Sequence, residues 1–117
     1  ISVDVGPEII TGSTRMKAGT ATKMVLNMIS TATMIRLGKV YGNLMVDLMA
    51  VNEKLVDRGI RIIQDFTNLD IENSRRILVE AKMSVKAALV MVKKDCDLDV
   101  AEKLLLEENG FLRDVID

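Results

Sequence analysis

The sequence predicts a mainly α-helical chain: two long helices, three short ones after them, and at most a short strand at the N-terminus. Three observations carry this. Apolar residues recur at helical spacing over residues 18–37 and 44–66. Beyond residue 67 the same period returns in three shorter runs, each opening on a residue that caps helices. The clearest alternation of apolar and polar residues, Ile1, Val3 and Val5 against Ser2 and Asp4, sits at the N-terminal edge.

That alternation reads as the end of a strand. Gly6-Pro7 stops it, because proline donates no hydrogen bond and disfavours helix in the residue before it. In the first long helix Ala21, Met24, Val25, Met28, Ile29, Ala32 and Ile35 form one stripe. Leu26 and Met34 fall outside it, which predicts a buried helix covered on more than one side. Gly38 is placed to cap its end, with Arg36 and Lys39 suited to the negative pole there.

Tyr41-Gly42-Asn43 makes a turn into the second long helix. That helix carries two stripes, one of Leu44, Leu48, Val51, Leu55, Ile62 and Phe66, the other of Met45, Met49, Val56, Ile60 and Ile63. Two stripes mean two neighbours. Gly59 costs the helix about 1 kcal/mol against alanine, which implies close packing or a bend. Thr67-Asn68-Leu69 then divides the chain into residues 1–67 and 68–117. The short helices are expected over 71–82 behind Asp70, 85–94 behind Ser84, and 100–108 behind Asp99, which has capping-box spacing to Glu102. Asn109-Gly110 ends the last of them.

Composition narrows the functions. With 49 % hydrophobic residues, 28 % charged and one proline, the chain has the makings of a folded core. A net charge of −1 and 3 % aromatics argue against nucleic-acid binding, which needs a basic face and, for single strands, stacking rings. A single cysteine, Cys96, forbids an internal disulfide and fits a reducing cytoplasm. The absence of histidine removes the usual imidazole base and metal ligand. The uncharged run 24–35 is shorter than the roughly 20 residues that span a bilayer. Ile1 in place of methionine, and a loop of functional character lying against it, lead to the expectation of a C-terminal piece of a longer protein.

That loop is the run from Gly6 to Ala21, GPEIITGSTRMKAGTA. Three glycines, the hydroxyls of Ser13 and Thr14, and the cations Arg15 and Lys17 precede a long helix, the makings of a grip on phosphate or carboxylate. It is not a Walker loop, since Lys17 lies where that motif needs glycine. The alternative is a turn whose Ser13 and Thr14 cap the helix while Arg15 and Lys17 face solvent. Glu8 reads either as an acid, base or sugar-hydroxyl acceptor, or as an ion-pair partner of Arg15 or Lys17, and one carboxylate makes no acid–base pair. Asp95, Asp97 and Asp99 resemble the start of a calcium loop, but Val100 and Leu106 stand where its glycine and glutamate belong. No metal site is assigned. The eight methionines fall mostly on the long helices at core spacing.

The same run, continuing into Lys23-Met24-Val25-Leu26-Asn27-Met28, closely resembles the signature of N-acetylmuramic acid 6-phosphate etherases; the glucokinase regulatory proteins share a related version. Further matches run from Ile35 to Asp47, through Asn52-Glu53-Lys54-Leu55, and in the closing Gly110-Phe111-Leu112-Arg113. The resemblance implies two helices from the end of a sugar-phosphate isomerase (SIS) type α/β domain, followed by a small three-helix bundle similar to ubiquitin-associated (UBA) domains. It implies a bacterial lyase that splits the D-lactyl ether of N-acetylmuramic acid 6-phosphate, works as a homodimer in the cytoplasm and needs no metal or organic cofactor. The family's catalytic carboxylates and serine-rich phosphate loop would lie upstream, so no catalytic residue is assigned here. Ser13, Thr14, Arg15 and Lys17 match the family's loop at the active-site rim and are carried over as substrate contacts, with Glu8 beside them.

Overall fold

The computed structural model describes all 117 residues, which divide into two units, 1–36 and 37–117. The first holds the N-terminal segment and helix α1, Lys17–Arg36. The expected strand at residues 1–5 does not form: a strand exists through its ladder, and no segment pairs with this one. Helix α1 forms where its periodicity placed it. Thr22 and Thr33 are tolerated inside it because each hydroxyl donates to the carbonyl four residues back, at 2.8 Å. Contrary to expectation, none of its residues is buried; Met24, Met28 and Ile35 stay more than half exposed. Its only companion in this unit, the 16-residue segment before it, covers too little to bury a stripe.

The second unit opens with a hairpin of β1 (Val40–Tyr41) and β2 (Leu44–Met45), paired Val40 with Met45 and Tyr41 with Leu44. Gly42 supplies the left-handed φ of +59° for the two-residue loop between them. The long helix expected from residue 44 therefore begins nine residues later, as α2, Glu53–Thr67. Asn52 starts it, its side chain accepting from the Leu55 amide at 3.0 Å. Upstream, the backbone bonds to distant chain instead. The amides of Val46 and Asp47 donate to the Lys39 carbonyl, Ala50 to Met83, and Val85 back to Leu48. The spacing of Leu44, Leu48 and Val51 mimicked a helical stripe in a segment that is held by non-local bonds.

Helices α3 (Ile71–Glu80) and α4 (Val85–Lys94) start behind Asp70 and Ser84 as expected. Helix α5 spans Leu98–Glu107, and its cap is Asp97, which accepts from Val100 at 2.9 Å, rather than Asp99. Asp99 lies in the first turn, where its charge suits the positive pole. Asn109 and Gly110 take left-handed φ and end α5, and a further short helix follows, α6, Leu112–Ile116. Helix α4 is the axis of this unit. It is buried from Val85 through Met91, with α2, α3, α5 and α6 packed around it.

Two close fits hold these helices. Gly59 of α2 leaves room for α4: a Cβ there would stand 2.9 Å from Val85 Cγ2 and 3.3 Å from Leu78 Cδ2. Lys86, 7 % exposed, sends its ammonium to the Gly38 carbonyl at 3.0 Å, the Gly110 carbonyl at 2.8 Å and Asp47 Oδ1 at 3.3 Å. Burial pushes the Asp47 carboxyl up, but the hydrogen bond from Lys39 and the charge of Lys86 outweigh it and hold it below the usual range. On the other side of the hairpin, the Tyr41 ring meets Phe66 edge-on at 5.2 Å, and its hydroxyl donates to Asp117.

Two outcomes are expected in urea unfolding. Gly59→Ala destabilises by about 1 kcal/mol, because overpacking against two rigid neighbours (about 1–3 kcal/mol) exceeds the gain of about 1 kcal/mol in helix propensity. Lys86→Met costs about 2–3 kcal/mol, since it removes hydrogen bonds to a charged donor and strands their acceptors; equal midpoints for variant and parent would remove Lys86 from its central place.

Candidate anion-binding loop

Helix α1 begins without an acidic residue in its first turn. The negative charge favoured there comes from outside the helix. Glu8 reaches across the loop and accepts the Lys17 amide on Oε2 at 3.1 Å and the Ala18 amide on Oε1 at 3.0 Å. These backbone bonds, Ala18 first and Lys17 next, hold its carboxyl below the usual range. A third tie runs the other way, from the Lys17 ammonium to the Pro7 carbonyl at 3.0 Å. The helix cap that the alternative reading gives to Ser13 or Thr14 is thus supplied by Glu8. The ion pair expected between Glu8 and a side-chain cation is replaced by backbone contacts.

Within the closed loop, the Ser13 amide donates to the Ile10 carbonyl and the Arg15 amide to the Ser13 carbonyl, both at 3.1 Å. Gly12 makes the bend with a φ of +82°. The hydroxyls of Ser13 and Thr14 and the guanidinium of Arg15 have no partner within the chain, and Thr14, Arg15 and Lys17 are exposed. The structure therefore groups Glu8 with Lys17 at the closure, while the side chains of Ser13, Thr14 and Arg15 take no part in it. An open groove of about 500 Å³ continues from Thr14 along α1, past Lys23 and Asn27. Lys23 belongs to the run that carries the resemblance but is not among the candidate contacts; its spacing of four from Gly19 is the signal that puts both on the groove.

Chemically, three cations outnumber one carboxylate across residues 8–23. Glu8 has both oxygens engaged, so the loop can attract and orient an anion but holds no acid–base pair. Elsewhere, Cys96 lies half-buried between Asp95 and Asp97; burial, then those two charges, push its thiol up, which disfavours the thiolate. No three carboxylate or cysteine side chains come together as a metal set. No helix is long and apolar enough to cross a membrane.

Known proteins are similar to this chain along its whole length. Residues 42–87 match the model of the C-terminal lid domain of glucokinase regulatory protein. The chain is 55 % identical over its whole length to the N-acetylmuramic acid 6-phosphate etherase of Bacillus subtilis, covering 38 % of that protein. It is 54 % identical over 113 residues, 97 % of its length, to the etherase of Oceanobacillus iheyensis, again covering 38 % of the relative. With that of Geobacillus thermodenitrificans it shares 48 % identity over 117 residues and 40 % of the relative's length. The chain thus spans about two fifths of the proteins it matches. From end to end its sequence is similar to the C-terminal portion of N-acetylmuramic acid 6-phosphate etherases.

Proposed function

We propose that this chain is the C-terminal part of a lyase that eliminates the D-lactyl ether of N-acetylmuramic acid 6-phosphate and then adds water to the unsaturated sugar, giving N-acetylglucosamine 6-phosphate and D-lactate. The observation that carries this reading is the identity of about half of all residues with etherases over the entire chain. Elimination of the ether needs one carboxylate to take the C2 proton and another to protonate the leaving oxygen. The loop offers no such pair, and the resemblance to etherases implies that both carboxylates belong to the part of the parent protein outside this chain, which alone is then inactive.

Its own contribution is substrate contact by Ser13, Thr14, Arg15 and Lys17. Arg15 leads, because its rigid fork of donors suits a phosphate or several sugar oxygens and no other side chain in the structure occupies it. Lys17 gives one ammonium proton to Pro7 and keeps two for a ligand. In this reading residues 1–67 complete a sugar-phosphate-binding SIS domain and residues 68–117 form a UBA-like helical domain. The parent acts as a cytoplasmic homodimer.

A second reading is favoured by the lid-domain match over residues 42–87: a regulator that senses a sugar phosphate without transforming it. D-lactate release separates the two. The parent is expected to release D-lactate from N-acetylmuramic acid 6-phosphate while this chain does not. A folded parent that binds the sugar phosphate and releases none is a regulator. Arg15→Ala in the parent is expected to raise KM about 10- to 100-fold, the equivalent of one charge-assisted contact of about 1.5–3 kcal/mol. An unchanged KM would remove Arg15 from the site.

A further inference from the structure

The amides at the start of a helix are the usual seat for a phosphate. In α1 that seat is taken. Glu8 places one carboxylate oxygen on the Lys17 amide and the other on the Ala18 amide, so the plane of the carboxylate is fixed as well as its position. The bond from the Lys17 ammonium to the Pro7 carbonyl closes the same ring of chain from the opposite direction. Between these ties the loop is braced internally, Ser13 to Ile10 and Arg15 to Ser13. Arg15 lies two residues from the clamped amide, its backbone fixed and its guanidinium unpaired. The Lys17 and Ala18 amides are thus closed to a polar group arriving from outside, whereas the side-chain donors of Ser13, Thr14 and Arg15 are unpaired.

We propose that Glu8 is a positioning residue: by filling the anion seat of α1 it holds Ser13, Thr14 and Arg15 in the pose that takes the substrate's oxygens. The proposal rests on the substrate-contact reading of Arg15. It also assigns the substrate's anionic group to the Arg15 guanidinium, with the Lys17 and Ala18 amides excluded from contact. A carboxylate whose two oxygens each accept an amide is not free to carry a proton to or from the substrate, which separates this role from acid–base catalysis.

The test compares Glu8→Ala, Glu8→Gln and Arg15→Ala in the parent enzyme, with KM and kcat read separately from D-lactate release. Amide exchange at Lys17 and Ala18 is followed in the same variants. Expected for Glu8→Ala is a KM raised about tenfold, kcat within threefold of the parent, and faster exchange at both amides. Glu8→Gln, which keeps one acceptor oxygen, is expected to recover most of the KM and to slow the Ala18 or Lys17 amide again. A kcat that collapses in Glu8→Gln at unchanged KM would make Glu8 an acid or base and overturn the proposal. Unchanged KM in Glu8→Ala, with KM raised in Arg15→Ala, overturns the positioning role while leaving the Arg15 contact intact. Unchanged KM in both overturns the Arg15 reading and the proposal with it. Should Glu8→Ala fail to fold, Glu8→Gln decides: faster exchange than in the parent at one of the two amides with a KM raised about two- to threefold supports the role, and exchange and KM both unchanged overturn it.

Discussion

A buried ammonium tolerates no vacancy, and the second unit is arranged around the one that Lys86 carries. An ammonium has three protons, and desolvating it is costly unless each finds an acceptor. The three acceptors come from the turn after α1, from the segment after the hairpin and from the turn after α5: Gly38, Asp47 and Gly110. One side chain on the central helix thereby sets the positions of three loops far apart in sequence. Gly38 must also lack a side chain, since a Cβ there would stand 3.1 Å from both the Gly110 carbonyl and the Phe111 ring. Asp47 remains charged because Lys39 shares it, so the cluster consists of two cations on one carboxylate with carbonyls absorbing the excess.

What could be read from the sequence follows from how far each signal reaches. Asp70 and Ser84 cap helices by bonding to amides three residues on, and both helices start where their sequence says. Gly38, Asn109 and Gly110 end helices for equally local reasons. The errors share a different cause. Residues 44–51 kept helical spacing of apolar side chains, but their amides are claimed by Lys39 and Met83. Asp97 and Asp99 are both plausible caps by composition, and only the amide of Val100 decides between them. Nothing local marks Lys86 as buried, because its partners lie 24 to 48 residues away.

The candidate site divides along the same line. That Ser13, Thr14, Arg15 and Lys17 form a cationic, hydroxyl-bearing loop was legible from residue type and from the helix that follows. That Glu8 would close it was not, because a carboxylate nine and ten residues from its amides obeys no capping rule. The loop therefore contains two kinds of residue that look alike in sequence. Glu8 spends both carboxylate oxygens on the chain itself, and Lys17 one of its three ammonium protons. The side chains of Ser13, Thr14 and Arg15 make no such bonds.

The contact of Gly59 with Val85 also constrains how sequences of this kind can change. A methyl at residue 59 collides with a methyl of Val85, so residue 59 cannot grow while Val85 keeps its size. Such a pair is epistatic: the cost of enlarging one residue depends on the size of the other. Val85 must shrink before residue 59 can grow, and the reverse order passes through a strained intermediate. The spacing of α2 and α4 is thus written in two codons at once, and a lineage that moves these helices apart or together has a preferred order of steps.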